Sequence, residues 1–365
     1  MVEFVVRVPE YTPPWQRVFL SGDGPAFGHW ASQAVELYRW DDGAYHAHLN
    51  NIPDGARLRY LLSVGRWRDA EADEAGHERP PRELTAHGNT FVEARVRGWG
   101  RNNLHYHADF ESKHLARART LSVYLPPGYD LEPERRYPVF YMHDGQNLFD
   151  ADTAFGGVPW GCDEVAERVI RNGEVQPVVI VGVANTRDRI GEYGPRRSVL
   201  HRDDDFSAAY GRFLVEEVKP FIDAKYRTKT DFASTAVGGS SLGGLISLHL
   251  AKWYPGVFGL CAALSPSLWW DGEGFLRDVA RKPGWLNTAK VWLDFGDDEG
   301  HTRATRRVGA GRVERLAEAM RSYGLEKSGR LSYAKIPGGR HNEASWGARF
   351  DQVLRFLFPA PQPSF

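Results

Sequence analysis

The chain has 365 residues, enough for two domains, and its 46 basic and 47 acidic side chains leave a formal net charge of -1. The chain therefore has no surplus of basic residues, which binding to nucleic acid or to an anionic membrane surface would require. Neither partner is expected. No run of about 18 apolar residues is present, and no signal peptide is visible, so we expect a cytoplasmic protein, although the sequence is compatible with a longer secreted precursor.

The pattern of residues 1–100 predicts a small all-β domain. Short runs of β-prone residues are separated by turn sequences such as Ser21-Gly-Asp-Gly-Pro25 and Asp41-Asp-Gly43, and no long helical period occurs. The predicted strands cover residues 4–8, 17–20, 44–49, 57–64 and 90–96. We therefore predict an immunoglobulin-like β-sandwich for this domain.

Two segments of this domain, residues 18–30 and 59–67, resemble the starch-binding type of carbohydrate-binding module. The resemblance implies that Trp30 and Trp67 form an exposed platform on which a sugar ring stacks. The sequence departs from the module pattern at Leu61, where a Lys is usual, and at Pro81-Arg82, which replaces an Asn-Arg pair. Glycan binding and a purely structural sandwich therefore both remain open.

Residues 101–365 have a different pattern, in which apolar runs alternate with helical stretches. This alternation predicts an α/β domain whose central sheet is mainly parallel and covered on both faces. Strands are predicted at residues 121–125, 138–142, 178–183, 234–237, 260–264, 291–295 and 331–336, and helices at 163–171, 206–226, 242–254, 313–323 and 344–358. The succession is that of the α/β-hydrolase fold, in which the loops at the carboxyl ends of the strands hold the chemistry.

Gly239-Ser-Ser241-Leu-Gly243 lies where a predicted strand meets a predicted helix. The pattern Gly-x-Ser-x-Gly is that of a nucleophile elbow, whose glycines permit a strained turn that exposes the serine hydroxyl. The next backbone N–H, that of Leu242, then points at the substrate carbonyl. The alternative is a Gly/Ser-rich turn or an anion-binding loop at a helix N-terminus.

A serine nucleophile needs a histidine base and an acid that orients the histidine. In α/β-hydrolases the chain order is serine, acid, histidine. His341 lies in the required loop between the last strand and the last helix, whereas His301 is too near the acids in sequence to arrive from the last strand. Asp297, Asp298 and Glu299 all follow one strand, so the spacing leaves the acid open.

Residues from about 105 to the C-terminus resemble the esterase family that contains enterochelin esterases, feruloyl and acetyl-xylan esterases and esterase D. The motifs are Val123-Tyr-Leu-Pro-Pro-Gly-Tyr129, Tyr141-Met-His-Asp-Gly-Gln-Asn-Leu-Phe149, Gly239-Ser-Ser-Leu-Gly-Gly244, Ser265-Pro-Ser-Leu-Trp269, residues 296–300 and His341-Asn-Glu-Ala-Ser-Trp346. The resemblance implies that Glu299 is the acid, with Asp298 as runner-up. It also implies that the N–H of Gln146 is the first oxyanion donor, beside that of Leu242.

The predicted activity is that of a serine carboxylic-ester hydrolase that forms an acyl-enzyme and needs no cofactor or metal. We expect Trp160, Trp269, Trp270 and Arg189 to line the cleft, where aromatic rings favour a flat acyl group or a sugar. Acyl esters of carbohydrates are the favoured substrates. Siderophore trilactones are an alternative, and an alternative of another class is a glycan-binding protein whose hydrolase domain is silent or transfers acyl groups.

Overall fold

The computed structural model describes residues 1–13, 15–73, 76–100, 103–195, 206–279, 281, 283–300 and 302–361. The chain divides into two compact units. Unit 1 consists of Met1–His105, Tyr124–Arg135 and Asp163–Pro177, and unit 2 consists of Tyr106–Val123, Arg136–Cys162 and Val178–Phe365. This division differs from a single boundary after residue 100, because two later segments of the chain pack as part of unit 1.

Short strands dominate the first hundred residues, as the turn-rich sequence predicts. They are β1 (Val2–Arg7), β2 (Val18–Gly22), β3 (Val35–Arg39), β4 (Tyr45–Leu49), β5 (Arg57–Ser63), β6 (Glu71–Ala72), β7 (Arg82–Thr85), β8 (Thr90–Arg95) and β9 (Gly98–Trp99). Except for the β6–β9 pair, they are hydrogen-bonded in the order β7-β5-β2-β3-β4-β1-β8. Strand β3 pairs with β2 through its first residues and with β4 through its last two, so it joins two groups of strands.

One apolar core serves both groups of strands in unit 1. Phe4 on β1 and Tyr60 on β5 meet edge to face with ring centroids 5.2 Å apart, and the Phe27 ring completes the cluster. Alternate residues of most of these strands contribute to this core, as a strand with one buried face requires. That the topology of this unit is immunoglobulin-like stays a prediction.

Trp30 and Trp67 do not form an exposed platform. Their exposures are 1% and 3%, and they pack with Leu61 in a small second core. The guanidinium of Arg171 lies 5.3 Å from the Trp30 ring centroid and 5.2 Å from that of Trp67, so a cation occupies the place where a sugar would stack. The prediction of a glycan platform at these rings is therefore wrong, because both rings are used for packing within unit 1.

This packing predicts a large difference between two tryptophan variants. We expect Trp67→Ala to lower the free energy of unfolding by about 3–5 kcal/mol, since it opens a cavity and removes a cation–π partner. Trp15→Ala is the matched control, because Trp15 is 82% exposed and should change the free energy by less than about 0.5 kcal/mol. Urea denaturation of the full chain measures both, and equal effects would contradict the packing role of Trp67.

Within the described residues, eight strands form the second sheet, in the order β10-β11-β13-β12-β14-β15-β16-β17. Their bounds are β10 (Leu104–Phe110), β11 (Arg119–Tyr124), β12 (Val139–His143), β13 (Val179–Val183), β14 (Thr235–Ser240), β15 (Leu260–Leu264), β16 (Lys290–Gly296) and β17 (Leu331–Ile336). From β13 to β17 across the sheet every neighbouring pair is parallel. The carboxyl ends of these strands therefore meet at one edge of the sheet.

Helices follow most of these strands. They are α1 (Cys162–Arg171), α2 (Arg189–Tyr193), α3 (Phe206–Arg212), α4 (Lys219–Lys225), α5 (Leu242–Trp253), α6 (Trp270–Val279), α7 (Arg303–Ser322), α8 (Glu343–Gly347) and α9 (Phe350–Leu357). A π-helical stretch, Phe213–Val218, joins α3 to α4 in the region predicted as one helix. Helix α7 begins ten residues before its predicted start at 313, and the predicted last helix is two helices, α8 and α9.

Candidate active site

Ser241 stands at the junction of strand β14 and helix α5. Its backbone has φ 57° and ψ -121°, a conformation that residues with side chains rarely adopt. Gly239 and Gly243 allow the close packing around it, because a Cβ atom at these positions would lie 3.2 Å and 3.3 Å from the Cβ of His143. The turn has the strain and the position expected of a nucleophile elbow.

The structure brings Ser241, His341 and Glu299 into one chain of hydrogen bonds. The Nε2 of His341 lies 2.9 Å from the hydroxyl oxygen of Ser241, and its Nδ1 lies 2.9 Å from Glu299 Oε2. The loops after β16 and β17 pack so closely that a Cβ atom on Gly296 would lie 2.2 Å from the carbonyl oxygen of Gly339. This close approach of the two loops places His341 next to Glu299.

Glu299, and not Asp298, contacts the imidazole. Glu299 is buried, and its Oε1 accepts hydrogen bonds from the Gly296 N–H at 2.8 Å and from the Ser265 hydroxyl. Asp298 is paired instead with Arg306 Nη1 at 2.6 Å and with Arg340 Nε at 3.1 Å. The geometry therefore favours Glu299 over the runner-up; His301 lies outside the described residues.

A buried ion pair behind Glu299 was not anticipated from the sequence. Arg349 donates to both carboxylate oxygens of Asp294, with distances of 3.0 and 2.9 Å, and both side chains are buried. The Nη2 of Arg349 also donates to the Ser265 hydroxyl at 2.9 Å, and that hydroxyl in turn donates to Glu299. An aspartate inside an otherwise apolar strand was the available signal, because a buried carboxylate needs a cationic partner.

The two predicted oxyanion donors both belong to the first turn of a helix. Gln146 lies in the 3₁₀ turn Gly145–Asn147 that follows β12, and Leu242 is the first residue of α5. Backbone N–H groups in a first turn have no acceptor within the helix, so they remain available to a ligand. Gln146 lines a cavity together with Ser241 and His341. The 3₁₀ turn that contains Gln146 and the Ser241 hydroxyl therefore belong to the same cavity.

A buried polar network holds the turn that carries Gln146. The backbone N–H of Asp144 donates to the Tyr193 hydroxyl at 3.3 Å, and the Asp144 carboxylate is held by Arg189 through two hydrogen bonds of 2.7 Å. Next to it, His143 Nδ1 lies 2.8 Å from the Tyr210 hydroxyl. Burial lowers the pKa of His143 to about 3, so this imidazole stays neutral and serves packing and hydrogen bonding.

The network predicts that Tyr193→Phe lowers kcat for p-nitrophenyl acetate by about tenfold, with a smaller change in KM. The reason is that a displaced oxyanion donor costs most where negative charge develops, in the transition state. Tyr141→Phe is the matched control, because within the described part of the chain the buried Tyr141 hydroxyl has no hydrogen-bond partner. A rise in KM at unchanged kcat for Tyr193→Phe would contradict the assignment.

Two cavities meet at Ser241 and His341, with volumes of about 780 and 400 Å³. Trp269, 55% exposed, lines the larger one. The smaller one is lined by both polar and aromatic residues, and Arg189 lines it while paired with Asp144. Each of the two residues therefore lines a cavity that Ser241 and His341 also line, and their contact with a substrate stays a prediction.

The other two predicted cleft residues are used for packing. Trp160 is 7% exposed, and its ring packs 5.8 Å from Trp346 and 6.2 Å from Phe350. It lines neither of the two cavities, so that prediction is wrong: the apolar ring is held by helices α8 and α9. Trp270 donates from Nε1 to the Pro195 carbonyl at 3.0 Å, which makes its role the support of that loop.

Within the described ranges, no group of three or more His, Cys, Asp or Glu side chains is arranged to hold a metal ion. The helices of the described part of the chain include none that is both long and apolar enough to span a membrane.

A sequence model of the Esterase family, described as "Putative esterase", matches residues 112–357, well over half of the chain. The chain belongs to the Esterase family. It is therefore a hydrolase that acts on carboxylic esters.

The chain is also similar to individual proteins and solved structures. The uncharacterized protein YbbA of Bacillus subtilis is 25% identical over 254 residues, which is 68% of this chain and 95% of YbbA. The structure of a ferulic acid esterase has a TM-score of 0.54 at 20% identity and covers 70% of this chain and 97% of its own. The enterobactin esterase FES of Shigella flexneri has a TM-score of 0.54 at 15% identity and covers 97% of this chain and 92% of its own.

At these identities the two structures bear on the fold alone. Both are α/β-hydrolase esterases, so the likeness shows that fold for the esterase part of the chain.

Proposed function

We propose that this member of the Esterase family hydrolyses acyl esters of carbohydrates through an acyl-enzyme on Ser241. The observation that carries the proposal is the unbroken chain of hydrogen bonds from the Ser241 hydroxyl through His341 to Glu299, with distances of 2.9 Å at both ends of the imidazole. Such a chain gives a serine the base it needs and gives the base a fixed tautomer.

The reaction follows from these contacts in two halves. Ser241 Oγ attacks the ester carbonyl carbon while its proton moves to His341 Nε2, and the oxyanion that forms is stabilised by the N–H groups of Gln146 and Leu242. The carbon–oxygen bond to the alcohol then breaks, and the alcohol leaves with the proton from His341. Water repeats the sequence on the acyl-enzyme and releases the acid. Glu299 stabilises the imidazolium in both halves, and no cofactor is required.

The choice of carbohydrate esters has two supports. The cavity beside Ser241 has an exposed indole, that of Trp269, which suits the flat face of a sugar or of an aromatic acyl group. The second support is the fold shared with a ferulic acid esterase.

A siderophore trilactone is the second candidate. The likeness to the enterobactin esterase of Shigella flexneri extends over 97% of this chain, including unit 1. The alternative of another class, a glycan-binding protein with a silent hydrolase domain, is disfavoured because Trp30 and Trp67 are buried and the serine has its base and acid within hydrogen-bond distance.

A panel of natural esters tests the substrate choice. Acetylated xylo-oligosaccharides, feruloylated arabino-oligosaccharides and enterobactin are compared by kcat/KM, with the Ser241→Ala protein as the blank for each. We expect one of the saccharide esters to exceed the trilactone by at least about tenfold, which is about 1.4 kcal/mol of transition-state discrimination. A trilactone preference of that size would replace the carbohydrate assignment with the siderophore one.

A further inference from the structure

Two arginines line the larger cavity beside Ser241. Arg312 extends from helix α7, and Arg340 immediately precedes His341 in the loop after β17. The cavity is also lined by Asp298 and Glu299. Glu299 is already used by His341 and lies 3.9 Å from Arg349, so its charge does not offset the two arginines.

Each of the two arginines uses only part of its hydrogen-bonding capacity. Arg312 donates from Nε to Glu273 at 2.8 Å, and Arg340 donates from Nε to Asp298 at 3.1 Å. Among the described residues, the Nη atoms of these two guanidiniums have no side-chain or backbone acceptor. Because a guanidinium has five N–H donors, both groups retain the forked pair that binds a carboxylate or a phosphate.

The local charge also favours an anion. Glu273 is shared between Arg312 and Arg315, and Asp298 is shared between Arg340 and Arg306. Each carboxylate thus offsets the charge of one of its two guanidiniums. Each set of one carboxylate and two guanidiniums keeps a net positive charge. Asp297, the neighbouring acid, accepts from the Gly338 N–H at 2.7 Å and does not line the cavity.

Trp269 adds a flat apolar surface to the same cavity, since this residue lines the cavity and is 55% exposed. The combination of an indole face and two guanidiniums is suited to a flat group that carries a negative charge. The Arg312 side chain is 26% exposed and the Arg340 side chain 70% exposed, and both line the cavity that Ser241 also lines.

We propose that the preferred substrates carry, besides the ester, an anionic group that Arg312 and Arg340 bind while Trp269 holds the adjoining flat part. The proposal rests on the proposed function, because it concerns the cavity that Ser241 opens into. It names the substrate class as anionic esters, of which carboxylate-bearing esters are the simplest to test.

The experiment compares two aryl acetates that share the reacting acetyl group and differ in charge at the para position, 4-acetoxybenzoate and its methyl ester. The quantity measured is the ratio of the kcat/KM values for release of acetate from the anion and from the methyl ester, in the parent protein and in Arg312→Gln, Arg340→Gln and the double variant. Intrinsic differences in leaving-group reactivity cancel when the ratio is compared between proteins. We expect each single variant to lower the ratio by about threefold to fivefold, the range for a partly exposed charge pair, and the double variant to lower it further.

Arg321→Gln is the matched control, because Arg321 lies on the same helix but pairs with Glu314 and Glu326. Its ratio should equal that of the parent protein, and added salt should reduce the parent's ratio toward that of the double variant. An unchanged ratio in both single variants and the double variant would overturn the proposal.

Failure of the proposed function would look different, since neither ester would then be hydrolysed. In that case calorimetric titration with the amide analogues 4-acetamidobenzoate and its methyl ester decides the question of charge. Tighter binding of the anion, weakened in the arginine variants, would support the anionic site without hydrolysis. Equal binding of the two analogues would overturn it.

Discussion

Replacing Ser241 with alanine is expected to lower kcat for p-nitrophenyl acetate by about 10⁴- to 10⁶-fold, because its hydroxyl is the group that forms the acyl-enzyme. The side chain lies between His341 at 2.9 Å and the hydroxyl of Ser267 at 3.2 Å, so its removal leaves the surrounding loops in contact through other residues. Circular dichroism and the thermal midpoint should therefore match those of the parent protein.

Ser240→Ala is the matched control for this variant. Ser240 is the last residue of strand β14 and is buried, so the same chemical change is made one position earlier in the chain. We expect its kcat to fall by less than about tenfold, as for a substitution outside a catalytic triad. Activity of Ser241→Ala within tenfold of the parent would rule out Ser241 as the nucleophile.

The second large effect is expected at Glu299. Glu299→Gln keeps the shape of the side chain but removes the charge that stabilises the imidazolium and the acceptor that fixes the His341 tautomer. A loss of about 10³- to 10⁴-fold in kcat should follow, as for acids of other triads. KM should change far less, because Glu299 is buried behind the histidine and has its effect in the transition state.

Asp298→Asn provides the comparison for Glu299→Gln, since the two residues are adjacent and both changes turn a carboxylate into an amide. Asp298 is paired with Arg306 and Arg340, so its amide variant should have a much smaller effect on kcat. If Asp298→Asn proves the more damaging of the two, Asp298 is the acid and the contact seen between Glu299 and His341 is not the catalytic one.

The three residues of the proposed triad could be predicted from the sequence because local signals mark them. The glycines around Ser241 indicate a strained turn, and the positions of Glu299 and His341 after two predicted strands follow from the chain order of this fold. The choice of Glu299 over Asp298 depended on resemblance to the esterase family, since three adjacent acids give no basis in spacing for preferring one. The geometry then separates them by their partners, His341 for Glu299 and arginines for Asp298.

The predictions that are wrong concern residues whose environment depends on distant parts of the chain. Trp160 has a side chain of a type that is common in binding clefts. Its ring is instead packed against Trp346 and Phe350, almost two hundred residues later in the sequence. In the same way, Arg171 covers Trp30 and Trp67. A sequence pattern states that a ring prefers an apolar neighbour, but it does not state whether the neighbour is protein or ligand.

The early start of helix α7 is explained by tertiary packing, against the local sequence signal. Its first half contains Gly309 and Gly311, which lower helix propensity. Gly309 is nevertheless suited to its place, because a Cβ atom there would lie 2.6 Å from the Phe295 ring. Tertiary packing on strand β16 thus overrides propensity, and the helix carries Arg312 to the wall of the cavity.

Mass spectrometry of a quenched reaction tests the central claim, that ester hydrolysis proceeds through an acyl-enzyme on Ser241. The protein is mixed with a p-nitrophenyl ester, quenched in acid within milliseconds and digested. A mass increase of one acyl group is expected on the peptide that contains Ser241, and no adduct is expected in Ser241→Ala. An acyl group located on another residue, or turnover by Ser241→Ala at the parent rate without any adduct, would contradict it.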